Sequence, residues 1–126
     1  MKLKAINDNS IDINGTSLQG YITMTRHSLN KAFGVVERDE FADKVQYEWM
    51  LQFEVSGHPD VVATIYDYKE YEDIDLDTLY QWHIGGNSPL AVACIYSALN
   101  NRGAITIVPD DFISYERSKD AQTQAV

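Results

Sequence analysis

Residues 44–55 read Lys44-Val45-Gln46-Tyr47-Glu48-Trp49-Met50-Leu51-Gln52-Phe53-Glu54-Val55, and their parity decides the fold. Val45, Tyr47, Trp49, Leu51, Phe53 and Val55 share one parity. Gln46, Glu48, Gln52 and Glu54 share the other. Such an alternation describes a strand with one buried and one wet face. A helix would scatter the same aromatics around its axis. Ser56-Gly57-His58-Pro59-Asp60 reads as a turn. Val61 to Tyr68, rich in β-branched and aromatic residues, is the expected partner strand.

Outward from this pair, Tyr80, Trp82 and Ile84 predict a third strand, ended by Gly85-Gly86. Ser88-Pro89 then has the composition of a helix start, Ser as cap and Pro at the first helical position. Ala91, Cys94, Ile95, Ala98 and Leu99 form an apolar stripe, predicting a buried helix over 89–99 that Asn100-Asn101-Arg102-Gly103 terminates. Toward the N-terminus, Asn14-Gly15 is a strong hairpin signal, so strands are expected over 10–14 and 17–23. Thr25 is placed to cap a short helix over 26–33, with Leu29, Ala32 and Phe33 on one face and Gly34 as its stop. Residues 104–108 have the composition of an edge strand, and the polar run from Ser118 reads as a frayed tail. The order predicts a single α+β domain over 1–117 followed by a tail over 118–126. The sheet is expected to be antiparallel, with about four to six strands and two helices packed on one face.

The 126 residues suit one domain. An apolar fraction of 44% supports a real core. Cys94 is the single cysteine, so no internal disulfide can form and a reducing compartment is expected. No run approaches the ~20 apolar residues of a spanning helix. Met1-Lys2-Leu3-Lys4 is followed by Asn7, Asp8, Asn9 and Ser10 rather than an apolar core, which argues against a signal peptide. Nineteen acidic against 10 basic residues give a net charge of −9. With no basic cluster, direct nucleic-acid or membrane binding is disfavoured. The charge serves solubility, or it docks a basic partner.

No catalytic set emerges, and the chain reads as a non-enzyme without cofactor. Asp73-x-Asp75-x-Asp77 matches the opening of a calcium loop. The sixth position is Thr78 and the twelfth Ile84, so the turn glycine and bidentate glutamate are missing and no metal site is expected. His27, His58 and His83 share no ligand spacing. His83 has parity opposite to Trp82 and is expected to face solvent. Cys94, on an apolar stripe, reads as a small hydrophobe. Tyr47, Trp49, Phe53, Tyr66 and Trp82 read as core rather than as a base-stacking platform, which would need basic neighbours.

Two surfaces remain as candidate sites. Asp67, Tyr68, Glu70, Tyr71, Glu72, Asp73, Asp75 and Asp77 alternate acids with tyrosines, and would bind a protein with a basic surface. Gly85, Gly86, Asn87 and Ser88 lead into a helix N-terminus and could cradle an anion, with Lys69 as the nearest base in sequence. The bland alternative for these glycines is a turn requiring positive φ.

Phe33-Gly34, Tyr47-Glu48-Trp49, Ala63-Thr64-Ile65-Tyr66-Asp67-Tyr68-Lys69 and Trp82-His83-Ile84-Gly85-Gly86 occur in this order. Over about residues 18–99 the pattern resembles a family of small tailed-bacteriophage and prophage proteins. The stretches 63–69 and 82–86 are its most specific parts. The family often has a tight Asp-Gly turn before its second strand, where Gly57-His58-Pro59-Asp60 is longer. The resemblance implies phage origin and action in the host cytoplasm, and it transfers no catalytic residue. By class-level analogy it implies a non-enzymatic accessory protein that antagonises a host defence system by binding a host protein. The alternatives are a protein that sequesters a phosphate or nucleotide signal at Gly85–Ser88, and a phage structural or assembly part. Periodicity leaves a homo-oligomer open, since the apolar second helix could pack within the domain or across a dimer.

Overall fold

The computed structural model describes residues 1–104, and the strand expected over 104–108, the domain limit at 117 and the tail lie almost wholly outside them. The element order is β1 (Lys2–Ile6), β2 (Ser17–Thr25), α1 (Arg26–Phe33), β3 (Glu48–Val55), β4 (His58–Tyr66), β5 (Leu79–Gly86) and α2 (Leu90–Asn101). The five strands form one sheet in the order β1-β3-β4-β5-β2. Every neighbouring pair is antiparallel. Both helices pack on one face, so the fold is α+β.

The parity of residues 44–55 sets that face. Trp49, Leu51, Phe53 and Val55 are buried, together with Ile22, Met24, Val61, Ala63, Ile65, Trp82 and Ile84 from the other strands. Leu29 and Phe33 from α1 and Ala91, Cys94, Ile95 and Leu99 from α2 close the core above them. Trp49 and Trp82 meet edge to face, centroids 5.2 Å apart at 89°. This geometry adds about 0.5–1.5 kcal/mol to what their buried area contributes.

β3 starts four residues later than parity predicts, because residues 44–47 turn away from the ladder to bind a loop described below. The following turn is only Ser56-Gly57, with Gly57 at φ 72°, and β4 starts at His58 and ends at Tyr66. Thr25 caps α1 as expected, its Oγ1 accepting the Ser28 N–H at 3.0 Å. α2 begins at Leu90 with Pro89 as its cap, and Asn100 and Asn101 lie inside it.

The predicted N-terminal hairpin does not form. Asn14-Gly15 is a turn, with Gly15 at φ 79°, but residues 10–14 are not a strand and β2 pairs with β5 instead. Asp8 and Asp12 accept the amides of Ser10 and Asn14 at 2.9 and 3.0 Å. Such local bonds compete with a ladder. The opposite sheet edge is β1, which the sequence reading missed. Lys2 and Lys4 alternate with Leu3 on a five-residue edge strand, too short for periodicity to stand out.

Candidate functional site

The segment between β4 and β5 is held by a buried polar knot. Asp67 is fully enclosed. Its Oδ1 accepts the amides of Gln46 and Tyr47, both at 2.8 Å. Its Oδ2 accepts from Gln46 Nε2 at 3.1 Å. The same Gln46 Nε2 reaches the carbonyls of Glu70 (2.8 Å) and Glu72 (3.0 Å). Lys69 N–H donates to Lys44 O at 2.8 Å. Lys69 adopts φ 57°, a left-handed conformation uncommon outside glycine and asparagine. Asp67 is therefore no contact residue, contrary to the sequence expectation: it organises the loop that presents the others.

The remaining acids divide by role. Asp73 accepts from the Tyr47 hydroxyl at 2.6 Å, and Arg38 stands 3.7 Å away. The Tyr47 hydrogen bond, with help from Arg38 and Arg26, holds the Asp73 carboxyl below the usual range. Burial first, then the Asp73 bond, pushes Tyr47 up to about 12. Asp75 Oδ2 accepts from Asp77 N–H and Thr78 Oγ1 at 3.1 and 3.0 Å, fixing a turn. Asp77 lies 3.2 Å from His27 Nδ1. Ile74, buried at 7%, pins the segment to the core.

From Glu70 to Leu79 every residue except Ile74 is exposed. Tyr71 is 79% and Leu79 68% exposed. Glu70, Glu72, Asp73, Ile74, Asp75, Thr78, Leu79 and Tyr80 line a shallow groove of about 310 Å³. Glu70 accepts from the Tyr80 hydroxyl at 3.2 Å, and Tyr80, chiefly through burial, is pushed up to about 12. Tyr68 points elsewhere, its ring lying 5.5 Å from that of His83 on the helix-free sheet face.

The anion cradle at Gly85–Ser88 is not built. Gly85 and Gly86 lie inside β5, and neither has positive φ. Close packing requires them: a Cβ on Gly86 would come within 2.4 Å of Ala91 Cβ, and one on Gly85 within 2.7 Å of Thr64 Oγ1. Asn87 N–H donates to Val62 O at 3.1 Å. Its side chain takes Val62 N–H at 2.9 Å and reaches Asp60 O at 3.2 Å. Ser88 accepts the amides of Leu90 (Oγ, 3.2 Å) and Ala91 (O, 3.1 Å). Three amides that an anion would need are thus engaged. Lys69 lies beyond the Tyr66 end of β4, whereas Gly86 pairs with Ala63 inside the strand.

A cluster that sequence reading resolved only into separate residues lies on the helix-free face. Glu48 (β3), Tyr66 (β4), His83 (β5) and Tyr21 (β2) are successive cross-strand partners. Centroid distances to His83 are 5.0 Å for Tyr21 and 5.4 Å for Tyr66, whose ring is stacked. Tyr21 is 45% and Tyr68 40% exposed. Burial raises Glu48 above the usual glutamate range. Burial, with the Glu48, Tyr21 and Tyr68 charges, raises Tyr66. His83 Nδ1 is buried without a hydrogen-bond partner. Shared parity with Glu48 would have pointed to this row, had strand order been known.

Among the described residues no group of side chains is placed to hold a metal ion. No helix among them is long and apolar enough to cross a membrane. Neither a protein-family model, nor a curated protein, nor a solved structure matches this chain.

Proposed function

We propose that the chain is a non-enzymatic binding module that docks a basic host protein on the acidic groove between β4 and β5. On the resemblance described above, it acts as a phage-encoded antagonist of host defence in the host cytoplasm. The observation that carries the docking role is the groove itself: exposed Leu79 lies among Glu70, Glu72 and Asp75, with exposed Tyr71 between Glu70 and Glu72 in the chain, on a loop fixed from beneath by Asp67 and Gln46. An irregular loop already ordered by buried hydrogen bonds loses little entropy when it binds. Apolar anchors rimmed by charge are the usual composition of a protein interface. A net charge of −9 steers a basic partner toward it.

The test compares wild type with the Glu70→Lys/Glu72→Lys double variant, which spares Asp67, Asp73 and Asp75. Tagged protein is recovered from infected-host lysate at low and high salt, and bound proteins are identified by mass spectrometry. A stoichiometric partner, weakened roughly tenfold or more by the double variant and by salt, is expected. Expression in hosts carrying a defence system should restore phage plating with wild type and not with the variant. A partner retained equally by both proteins would refute the groove assignment.

A further inference from the structure

The helix-free sheet face holds two polar groups that folding left without partners. Glu48 is half-buried with burial as the cause of its raised pKa, and among the described residues no cation or donor pairs with it. His83 Nδ1 is buried and unbonded. A buried unsatisfied polar atom such as His83 Nδ1 costs about 1–3 kcal/mol, so its presence in a folded protein calls for an explanation. Both flank Tyr66 in one cross-strand row. Tyr21 and Tyr68 stand over the row with their rings part-exposed. The strained Lys69 backbone follows directly after Tyr68, and backbone strain gathers at functional positions.

The chemistry of this cluster is that of a cation receptor. Tyrosine faces attract cations, more strongly where water is partly excluded. Lys69 Nζ already lies 5.4 Å from the Tyr68 centroid, so the ring accepts a cation within the chain itself. A half-buried carboxylate gains from a cationic partner what its desolvation costs. A planar guanidinium suits the set better than an ammonium, because it stacks on a ring while donating in its plane to a carboxylate.

We infer that the face formed by Glu48, Tyr66, Tyr68, Tyr21 and His83 is a receptor for an arginine side chain presented by the basic partner. This rests on the reading that the partner is basic, and it places a second contact beside the acidic groove. The arginine stacks on the tyrosines and pairs with Glu48. Movement of the exposed Tyr21 ring opens His83 Nδ1 to one of its N–H donors.

The test titrates the full chain with a short glycine-spaced arginine peptide, against its citrulline and lysine counterparts, while following the His83 imidazole signals by NMR. The expected result is a saturable His83 shift with arginine, none with citrulline, and weaker binding of lysine. Glu48→Gln and Tyr68→Ala, each checked for native circular dichroism, should each weaken arginine binding about fivefold. The Glu70→Lys/Glu72→Lys variant should still show the His83 shift, so failure of the groove and failure of the receptor are separable. Equal binding of the citrulline or lysine peptide, or unchanged affinity in both receptor variants, would overturn the inference. So would a His83 shift that follows protein concentration alone, which would mean a second copy covers the face, or a larger shift with adenosine monophosphate.

Discussion

On the helix-covered face of the sheet, the polar handles of the large side chains are all tied. Trp49 Nε1 donates to Gly34 O at 2.9 Å and Trp82 Nε1 to Met24 O at 3.1 Å. One residue along each strand, on the opposite face, Glu48 and His83 have no such partners. The same period-2 alternation thus builds a face whose tryptophans are tied within the chain, with Asn30 Oδ1 of α1 the one buried unpaired atom among the described residues of the helix layer, and a face that keeps Glu48 and His83 Nδ1 unpaired among aromatics. The first is a solution to stability. The second carries a cost that stability does not explain, which is where binding is to be sought.

The contrast is most severely tested by Gly86→Val, which drives a branched side chain toward Ala91 Cβ and Val62 O. Separating α2 from β5 should cost about 3 kcal/mol or more, read as a lowered urea midpoint or failure to fold. Asp67→Ala comes next: it strands the amides of Gln46 and Tyr47 in a buried site, with an expected loss of about 2–4 kcal/mol and faster proteolysis within 67–78. Tyr47→Phe removes the hydroxyl that holds Asp73 down. It should cost about 1 kcal/mol and move the Asp73 titration, followed by NMR, up toward the ordinary aspartate value.

The smallest effect is expected on the helix-free face. Glu48 has its folded pKa raised, so the native state holds its proton more tightly than the unfolded chain does. Stability therefore falls as pH rises from the ordinary glutamate value through the folded one. Glu48→Gln should flatten that part of the stability-pH curve and leave stability at neutral pH within about 1 kcal/mol of wild type, or slightly above it. A large loss from this change would mean that Glu48 belongs to the structural face after all.

The helix-covered face was legible because burial repeats: parity in 44–55 and the stripe at Ala91, Cys94, Ile95 and Leu99 each state one side of the same core. Thr25 was legible for a local reason, since a cap acts within three residues. β1 was not, because a five-residue edge strand presents little pattern and its partner lies some 50 residues on. Gly85-Gly86 misled because glycine serves both positive φ and close packing, and only the position of Ala91 separates the two. Asp67 looked like its acidic neighbours until Gln46 was brought against it. Glu48, Tyr66, His83 and Tyr21 come from four strands, so their meeting depends on strand order, which no local signal encodes.

The strand order β1-β3-β4-β5-β2 also constrains how the chain can assemble. β3 and β4 join through a two-residue turn and, among the described residues, are the only sequence-adjacent strands joined by so short a loop. Loop closure favours that hairpin as the earliest pairing. β1 and β2 precede β3, β4 and β5 in the chain, so each must wait for an interior strand made later, and they end at opposite edges. During synthesis β1 therefore has no ladder to join until β3 has left the ribosome, and β2 has none until β5 has. Short β1, with Lys2 and Lys4 on its surface, is suited to that delay, since edge lysines discourage pairing with the wrong chain.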